Sequence, residues 1–342
     1  MKKFLAIILV VILAISAVAC TKTEAPKTDE KTTTEKADTP AKVEKVSLTM
    51  GTGGESGTYF AVGGVLTNVL NDKNPEIMDV NVVSTGGSAD NLQNMATGVY
   101  QLATVQSDVM TYAYNGTRSF EQTGAVPSVR ILAGLYAETV QIVTTNPGIK
   151  TVADLKGKAV CVGDQNSGTY FNAKDVFDAY GMDIEKDITP IFQSFAASTE
   201  SLKDGKIDAA FLTAGAPTTS VVDLGTAKSV YLVSIDDEHL AKLLEACPFY
   251  AKYTIGKDVY KTPEDCQTVT VKATLVADAS VSDDVAYAIV KTIFENKDEI
   301  TAAHKKGAEL DLSFATDGMA IPFHPGAAKY FAEKGITVNT GN

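Results

Sequence analysis

Basic side chains are scarce in this sequence. Its 342 residues hold 30 Lys and Arg against 42 Asp and Glu, so the formal net charge is −12 at pH 7. A nucleic-acid-binding protein needs a positive surface to pair with the phosphates. The charge balance therefore predicts no nucleic-acid partner. Arg118 and Arg130 are the two arginines, so a bound carboxylate is expected to meet backbone amides and hydroxyls instead of an arginine fork.

Histidine is also scarce. His239, His304 and His324 stand apart in the chain, and none has a second ligand at metal spacing. No metal and no cofactor are therefore expected. A hydrolase is disfavoured because the sequence has no G-x-S-x-G elbow and no histidine within a Gly/Ser-rich turn. The protein is accordingly predicted not to be an enzyme.

Three of the four cysteines lie in the body of the sequence, and their surroundings differ. Cys161 lies in the apolar run 159–162, which predicts a buried strand position. Cys247 and Cys266 flank a polar stretch rich in tyrosine. In an oxidising compartment these two either form a disulfide or remain free thiols, and both alternatives stay open.

The N-terminus predicts export. Lys2 and Lys3 precede an apolar run that ends in Ala17-Val18-Ala19-Cys20. The run is short for a membrane span, so residues 1–19 are predicted to be a signal peptide. Small residues before Cys20 resemble the lipobox of bacterial lipoproteins, which makes Cys20 the expected lipidation site. The mature protein is thus expected outside the cytoplasm, anchored to the cell membrane by its lipid.

Residues 20–44 are expected to form a disordered tether behind that anchor. After Cys20 the composition turns to Thr, Lys, Glu, Asp, Ala and Pro. Such a segment cannot bury enough apolar surface to offset the entropy of ordering it. About 300 residues remain after the tether, enough for one large or two ordinary domains.

An internal repeat indicates two related halves. Residues 56–60, Ser-Gly-Thr-Tyr-Phe, recur as residues 167–171, and each copy follows an apolar strand pattern and a turn. A second pair of similar segments begins after Gly98 and after Gly205. The order and spacing of the two matches indicate one structural unit used twice.

Each half alternates strands with helices. Strands are predicted at residues 46–50, 80–83 and 159–162, and helical apolar spacing follows Gly57 and Gly168. Alternation of this kind predicts parallel sheets covered by helices, with ligands at the carboxyl ends of the strands. We expect a two-lobed α/β fold like that of class II periplasmic binding proteins, with a sheet in each lobe and a cleft between them. Lobe 1 is residues 45–138 plus 268–342, lobe 2 is residues 139–267, and the hinges are expected within 137–141 and 253–271.

Four strand-to-helix turns share one chemistry, since they combine glycine with hydroxyl side chains just before a helix. They are residues 51–58, 84–88, 163–169 and 213–218. Glycine exposes backbone N–H groups, and a helix N-terminus carries partial positive charge, so each turn can hold an anion. Plain helix capping explains any one of them. Four in corresponding places of two lobes indicate an acidic ligand.

The chain after Lys45 resembles the TAXI family of TRAP-transporter solute receptors. The resemblance rests on a set of motifs, each weak alone: residues 50–63, 84–92, 105–108, 149–157, 166–169, 208–218 and 321–326. The family implies a monomeric receptor that closes over a small organic acid, glutamate-like or a dicarboxylate. It would deliver this acid to an integral membrane TRAP permease driven by an ion gradient.

Carried over from those motifs, the resemblance implies twelve ligand-binding residues: Gly54, Tyr59, Ser88, Asn91, Gln106, Ser107, Glu138, Ser167, Gly168, Thr169, Thr213 and Gly215. Glu138, near the first crossing between the lobes, is the candidate partner for a ligand ammonium; the alternative is an exposed loop carboxylate. The sequence has Ala137 before Glu138, where the family commonly has proline.

Two rival functions remain in view. The glycines 51, 53 and 57 after a strand resemble a dinucleotide-binding turn, but Ser84-Thr85-Gly86 stands where a dehydrogenase needs an acidic residue for the ribose. The substrate-binding lipoprotein of an ATP-driven importer is the closer alternative, since it shares both fold and location with the ion-coupled receptor.

Overall fold

The computed structural model describes residues 45–341. The predicted signal peptide, Cys20 and the whole of the predicted tether lie outside these residues. Ten strands are described: β1 Val46–Gly51, β2 Met78–Val83, β3 Leu102–Gln106, β4 Val129–Thr144, β5 Ala159–Cys161, β6 Thr189–Ile191, β7 Ala209–Ala214, β8 Tyr231–Leu232, β9 Ala251–Ile255 and β10 Cys266–Asp278.

Eleven helices are described together with these strands. They are α1 Thr58–Lys73, α2 Ser88–Ala96, α3 Ser107–Asn115, α4 Gly168–Ala179, α5 Phe195–Lys203, α6 Thr219–Ala227, α7 Asp237–Ala246, α8 Asp283–Glu295, α9 Lys297–Ala303, α10 Leu312–Thr316 and α11 Pro325–Glu333. Short 3₁₀ turns occur at Arg118–Phe120, Val152–Leu155, Lys257–Val259 and Lys305–Glu309. The strands and helices predicted from the periodicity are confirmed, with bounds that differ by a few residues.

The strand order confirms the repeat. It runs β2-β1-β3-β10-β4-β7-β5-β6, so β2-β1-β3 on one side mirrors β6-β5-β7 on the other. In both sets the middle strand is parallel to its two neighbours. The helices between successive parallel strands provide the crossovers that such pairing requires.

The two halves share one hydrogen-bonded sheet, which corrects the expectation of a separate sheet in each lobe. β4 and β10 are long, 16 and 13 residues, and pair with each other in antiparallel register from Thr139–Thr270 to Val129–Asp278. β4 continues past this point to pair with β7, and β10 pairs with β3 on its other edge. The two long strands therefore join the halves.

The apolar core divides near the predicted hinges. One cluster contains residues from β1 through Tyr136 and again from Ala273 onward, together with Phe171 from lobe 2. Two others contain residues from Val140 through Val271. The lobe boundaries at 138/139 and 267/268 remain a prediction. The chain passes from one apolar cluster to another within a few residues of both boundaries.

Candidate ligand-binding site

The N-termini of five helices lie around one pocket at the carboxyl ends of the strands. The residues that cap α1 to α5 all line it: Gly57, Gly87, Gln106, Ser167 and Ser194. The first three belong to lobe 1 and the other two to lobe 2. The cavity volume of the pocket is about 50 Å³.

Local sequence explains why these turns leave amides free. Gly87 has φ of +105°, a conformation that a residue with a side chain rarely adopts. Ser167 caps α4 by accepting a hydrogen bond from the Tyr170 amide at 3.3 Å. The caps of α1, α2 and α3 make no such side-chain bond. The first-turn N–H groups of these three helices therefore remain without a side-chain cap.

Glu138 is the buried acid of this pocket. It lies on β4 opposite Val271 and is 1 % exposed, so it is not a loop carboxylate. Burial raises the pKa of Glu138 to about 8, while the nearby charge of Lys306 lowers it. Its Oε1 has no hydrogen-bond partner within the described residues. An unpartnered buried carboxyl oxygen is costly, and a ligand donor would satisfy it.

Two buried hydroxyl groups of the pocket also lack a hydrogen-bond partner within the described residues. Tyr59 Oη and Thr213 Oγ1 both line the pocket, are buried, and lack a partner in the described part of the chain. Tyr59 comes from lobe 1 and Thr213 from lobe 2. Together with Glu138 they place three unsatisfied polar atoms around one small space. The site is built for a polar ligand that contacts both lobes.

The charges around the pocket are unequal. Glu138 and Asp164 are its two ionisable carboxyls, and burial raises the pKa of Asp164 as well. No Lys, Arg or His is among the described lining residues. The positive groups at this site are therefore the helix N-termini and, behind the lining residues, the ammonium group of Lys306. Arg118 and Arg130 both lie outside the lining.

Nine of the twelve residues implied by the resemblance line the pocket: Gly54, Tyr59, Ser88, Gln106, Glu138, Ser167, Gly168, Thr169 and Thr213. Asn91, Ser107 and Gly215 do not. Asn91 Nδ2 donates to the carbonyls of Thr52 and Thr104, at 2.7 and 2.9 Å, and so ties β1 to β3. Ser107 Oγ accepts from the Lys272 amide. These two residues hold the scaffold beneath the site.

Other lining residues are not among the twelve. Thr58 and Asp164 belong to two of the predicted turns, whereas Ser194 and Phe195 lie outside all four. The repeat carried the needed information for Ser194. Ser194 caps α5 in the turn after β6, which corresponds to the turn between β2 and α2. This turn contains no glycine, so the pattern of glycine-rich turns does not include it. Nothing in the local sequence points to Lys306, which reaches the back of the site from a 3₁₀ turn far along the chain.

Side chains of the two lobes meet beside the pocket in a buried polar cluster. Asn172 accepts from Gln106 Nε2 at 2.6 Å and donates to Asp108 at 3.0 Å. Arg118 pairs with Asp175 at 2.9 Å. Burial, the largest influence, raises the pKa of Asp108 to about 7. Since Gln106, Asp108 and Arg118 lie in lobe 1 and both partners lie in lobe 2, the described conformation is one in which the lobes touch.

The three cysteines within residues 45–341 are not bridged. Cys161, Cys247 and Cys266 are all free thiols and all buried, and Cys161 lies in β5 as predicted. Cys247 belongs to one apolar cluster of lobe 2 and Cys266 to another. The structure thus selects the free-thiol alternative over the disulfide, because the two side chains pack into different cores.

No group of three or more His, Cys, Asp and Glu within residues 45–341 is placed to hold a metal ion. None of the helices described there is long and apolar enough to cross a membrane. None of the three histidines lines the pocket.

The mirrored halves, the shared strands and the pocket between them define a two-lobed periplasmic-binding-protein fold. The alkanesulfonate-binding protein SsuA from Xanthomonas axonopodis pv. citri, solved with bound MOPS, is 14 % identical, with 85 % of this chain and 91 % of that chain covered and a TM-score of 0.50. The aliphatic sulphonate binding protein SsuA from Escherichia coli is 15 % identical, with 84 % and 90 % covered and a TM-score of 0.44.

A putative L-cystine ABC transporter protein from Listeria monocytogenes is 14 % identical, with 76 % and 94 % covered and a TM-score of 0.47. At these identities the similarity shows the fold alone. A sequence profile shows the family: the NMT1-like profile matches residues 50–335, and the chain belongs to the NMT1-like family.

Proposed function

We propose that this protein is an extracytoplasmic solute-binding receptor that closes over a small acid and delivers it to a membrane importer. One observation carries the proposal. The capping residues of five helices, from both lobes, line a single pocket that also contains unpartnered buried polar atoms. Helix N-termini attract anions, and a site shared by two lobes favours the closed state when a ligand bridges them.

The charges of the pocket favour an amino acid over a dicarboxylate. The helix N-termini offer one region for a carboxylate, whereas Glu138 and Asp164 offer acceptors for a donor group. Burial raises the pKa of both carboxyls, and a ligand ammonium would favour their ionised form, whereas a second ligand carboxylate would disfavour it. An ammonium group near Glu138 Oε1 would supply its missing donor and form a charge-assisted bond. A glutamate-like amino acid therefore fits better than a simple dicarboxylate.

Location and anchoring belong to the same proposal. The predicted signal peptide and the lipobox-like cysteine, Cys20, support a receptor held outside the cytoplasm by a lipid. A tether of roughly 25 residues has a mean reach of about 25–30 Å when flexible, enough for the body to turn towards a membrane partner. A monomer meets this need without further contacts.

Two importer types fit such a receptor. The motif resemblance supports an ion-coupled TRAP permease. The comparisons accord better with an ATP-driven importer, since one of the similar structures named above is a putative ABC transporter protein and none of those named is a TRAP receptor. Uptake by cells would separate them. An ionophore that collapses ion gradients stops the TRAP type, and ATP depletion with the gradient maintained stops the other.

Thermal unfolding tests the binding proposal. Purified protein is expected to gain stability with L-glutamate at millimolar concentration, because a ligand that binds the folded state raises the midpoint. Succinate, which offers no ammonium group, should give a smaller gain. A panel of amino acids and di- and tricarboxylates that leaves the midpoint unchanged would contradict the receptor function.

The role of Glu138 has its own variant. We expect Glu138→Gln to weaken L-glutamate binding by about a hundredfold, since a charge-assisted bond to a buried carboxylate is lost. Succinate affinity should change by less than about threefold. Asp164→Asn is the matched control, as it alters the other lining carboxyl. Equal L-glutamate affinity of Glu138→Gln and wild type, by calorimetry, would remove Glu138 from the site.

A further inference from the structure

Gly215 lies buried between the lobes without lining the pocket. It follows β7 of lobe 2, and its carbonyl accepts a hydrogen bond from the Thr58 hydroxyl of lobe 1 at 3.0 Å. Thr58 is the first residue of α1, whose N-terminus faces the pocket. Gly215 is therefore a point where the two lobes touch directly, beside the ligand space and outside it.

There is no room for a side chain at this point. A Cβ on Gly215 would lie 2.6 Å from Cε of Lys306 and 3.0 Å from Cγ2 of Thr58, both in lobe 1. The first separation is far below the contact distance of two carbons. Gly215 is not among the residues with positive φ. Alanine could therefore adopt its backbone conformation, and the obstacle is entirely the opposite lobe.

Lys306 cannot easily move aside. Its side chain is 7 % exposed, and its ammonium group donates to the Glu309 carboxylate and lies 5.6 Å from the centre of the Tyr136 ring. Glu309 in turn accepts a hydrogen bond from the Ala137 amide at 2.9 Å, on β4. A shift of Lys306 would disturb this ion pair at the hinge strand.

Gly168 makes a second contact of the same kind. It is the first residue of α4 in lobe 2, and a Cβ there would lie 1.2 Å from Oε1 of Gln106 in lobe 1. Gln106 is held by its hydrogen bond to Asn172. Gly168 also has an ordinary φ. Both glycines thus present bare backbone to a fixed side chain of the other lobe.

We propose that Gly215 and Gly168 are closure residues: their missing side chains let the lobes meet, and Gly215 controls ligand affinity without touching the ligand. The inference rests on the proposed function, because it requires a receptor that opens and closes. In the open state the lobes are apart at these points and a methyl group meets no obstacle. In the closed state it does. Alanine therefore acts on the closing equilibrium alone.

The first experiment compares Gly215→Ala with Gly64→Ala by small-angle X-ray scattering and calorimetry, with L-glutamate as the probe. Gly64 lies in α1, and a Cβ there meets nothing within 4 Å. We expect wild type and Gly64→Ala to become more compact with L-glutamate. Gly215→Ala should stay extended and bind at least about tenfold more weakly, as the closed fraction falls by that factor.

The second experiment separates a closure effect from general damage. The loss caused by Gly215→Ala should be smaller in a Lys306→Ala background, because removing Cε relieves the contact at 2.6 Å. Additive losses in this double-mutant cycle would overturn the inference. So would a Gly215→Ala protein that compacts at the wild-type L-glutamate concentration.

Gly168→Ala serves as the independent variant if Gly215→Ala does not fold. Failure of both to fold would show that these contacts persist in every state, which also overturns the inference. A wild type that neither compacts nor gains stability with L-glutamate contradicts the proposed function itself. In that case the inference fails as well. If the wild type closes with L-glutamate and the glycine variants behave like it, only the inference is contradicted and the proposed function remains.

Discussion

Asn91 shows how a residue of a binding motif can serve the scaffold instead of the ligand. Its side chain is fully buried and donates to the carbonyls of Thr52 and Thr104. Thr52 follows β1, and Thr104 lies within β3. The motif that contains Asn91 thus contributes Ser88 to the lining of the pocket and Asn91 to the joining of the two strands.

We expect Asn91→Ala to lower the free energy of unfolding by about 2 kcal/mol, since it removes two hydrogen bonds between buried groups. Urea unfolding gives this value. Asn94→Ala is the control on the same helix, because the Asn94 side chain bonds only to Asp90 of that helix. Affinity for L-glutamate in the folded variant should stay within about threefold of wild type. A large affinity loss with unchanged stability would make Asn91 a ligand contact.

At the scale of elements, α11 depends on a neutral histidine. His324 is buried and caps this helix: its Nδ1 accepts from the Gly326 amide at 3.2 Å, and its Nε2 lies 2.8 Å from the Val281 carbonyl. The tautomer with the proton on Nε2 satisfies both contacts. Protonation of Nδ1 would remove the first bond. Burial, the largest influence, lowers the pKa of His324 below its usual value.

This lowered pKa gives a stability change of defined sign. The unfolded chain takes up a proton near pH 6.5 while the folded state resists it, so the contribution of His324 is present above that pH and is lost as pH falls further. We expect the stability difference between wild type and His324→Asn to shrink by about 1 kcal/mol from pH 7.5 to 5.5.

Thermal or urea unfolding across that range provides the measurement. The difference between the two proteins is needed because Glu138 and Asp108 act oppositely. Their raised pKa values stabilise the fold at low pH and lose that effect as pH rises towards 8 and 7 respectively. His239→Gln is the histidine control. A pH-independent difference for His324→Asn would show that the capping histidine does not titrate with folding.

At the scale of the whole molecule, no disulfide bond joins parts of the described residues. Their three thiols are free and buried in lobe 2. The lobes are instead joined by β4 and β10 and by contacts that exist only when they touch, such as Arg118 with Asp175. That arrangement allows a hinge within 137–141 to bend without breaking a core, because the apolar clusters divide there.

We therefore expect reductant to leave the thermal unfolding midpoint unchanged. Iodoacetamide in denaturant, without reductant, should alkylate Cys161, Cys247 and Cys266 completely, as read by peptide mass spectrometry. The same sample treated first with dithiothreitol is the control. A Cys247–Cys266 peptide pair in the unreduced digest would contradict the free thiols of the structure.

The sequence by itself determined the local elements and the repeat. Apolar spacing located α1 and α4, and the two Ser-Gly-Thr-Tyr-Phe segments revealed the mirrored halves, because these depend on residues close together in the chain. Most of the pocket followed, since glycine turns at strand ends mark ligand positions wherever the strands are parallel.

Only the tertiary structure decided which residues meet across the lobes. Lys306 stands against Gly215, and Gln106 against Gly168, through contacts between residues that are tens of positions apart. The burial of Glu138, the scaffold role of Asn91 and the separation of Cys247 from Cys266 arise in the same way. No local pattern encodes such distances, because each is fixed by how β4 and β10 bring two independently packed cores together.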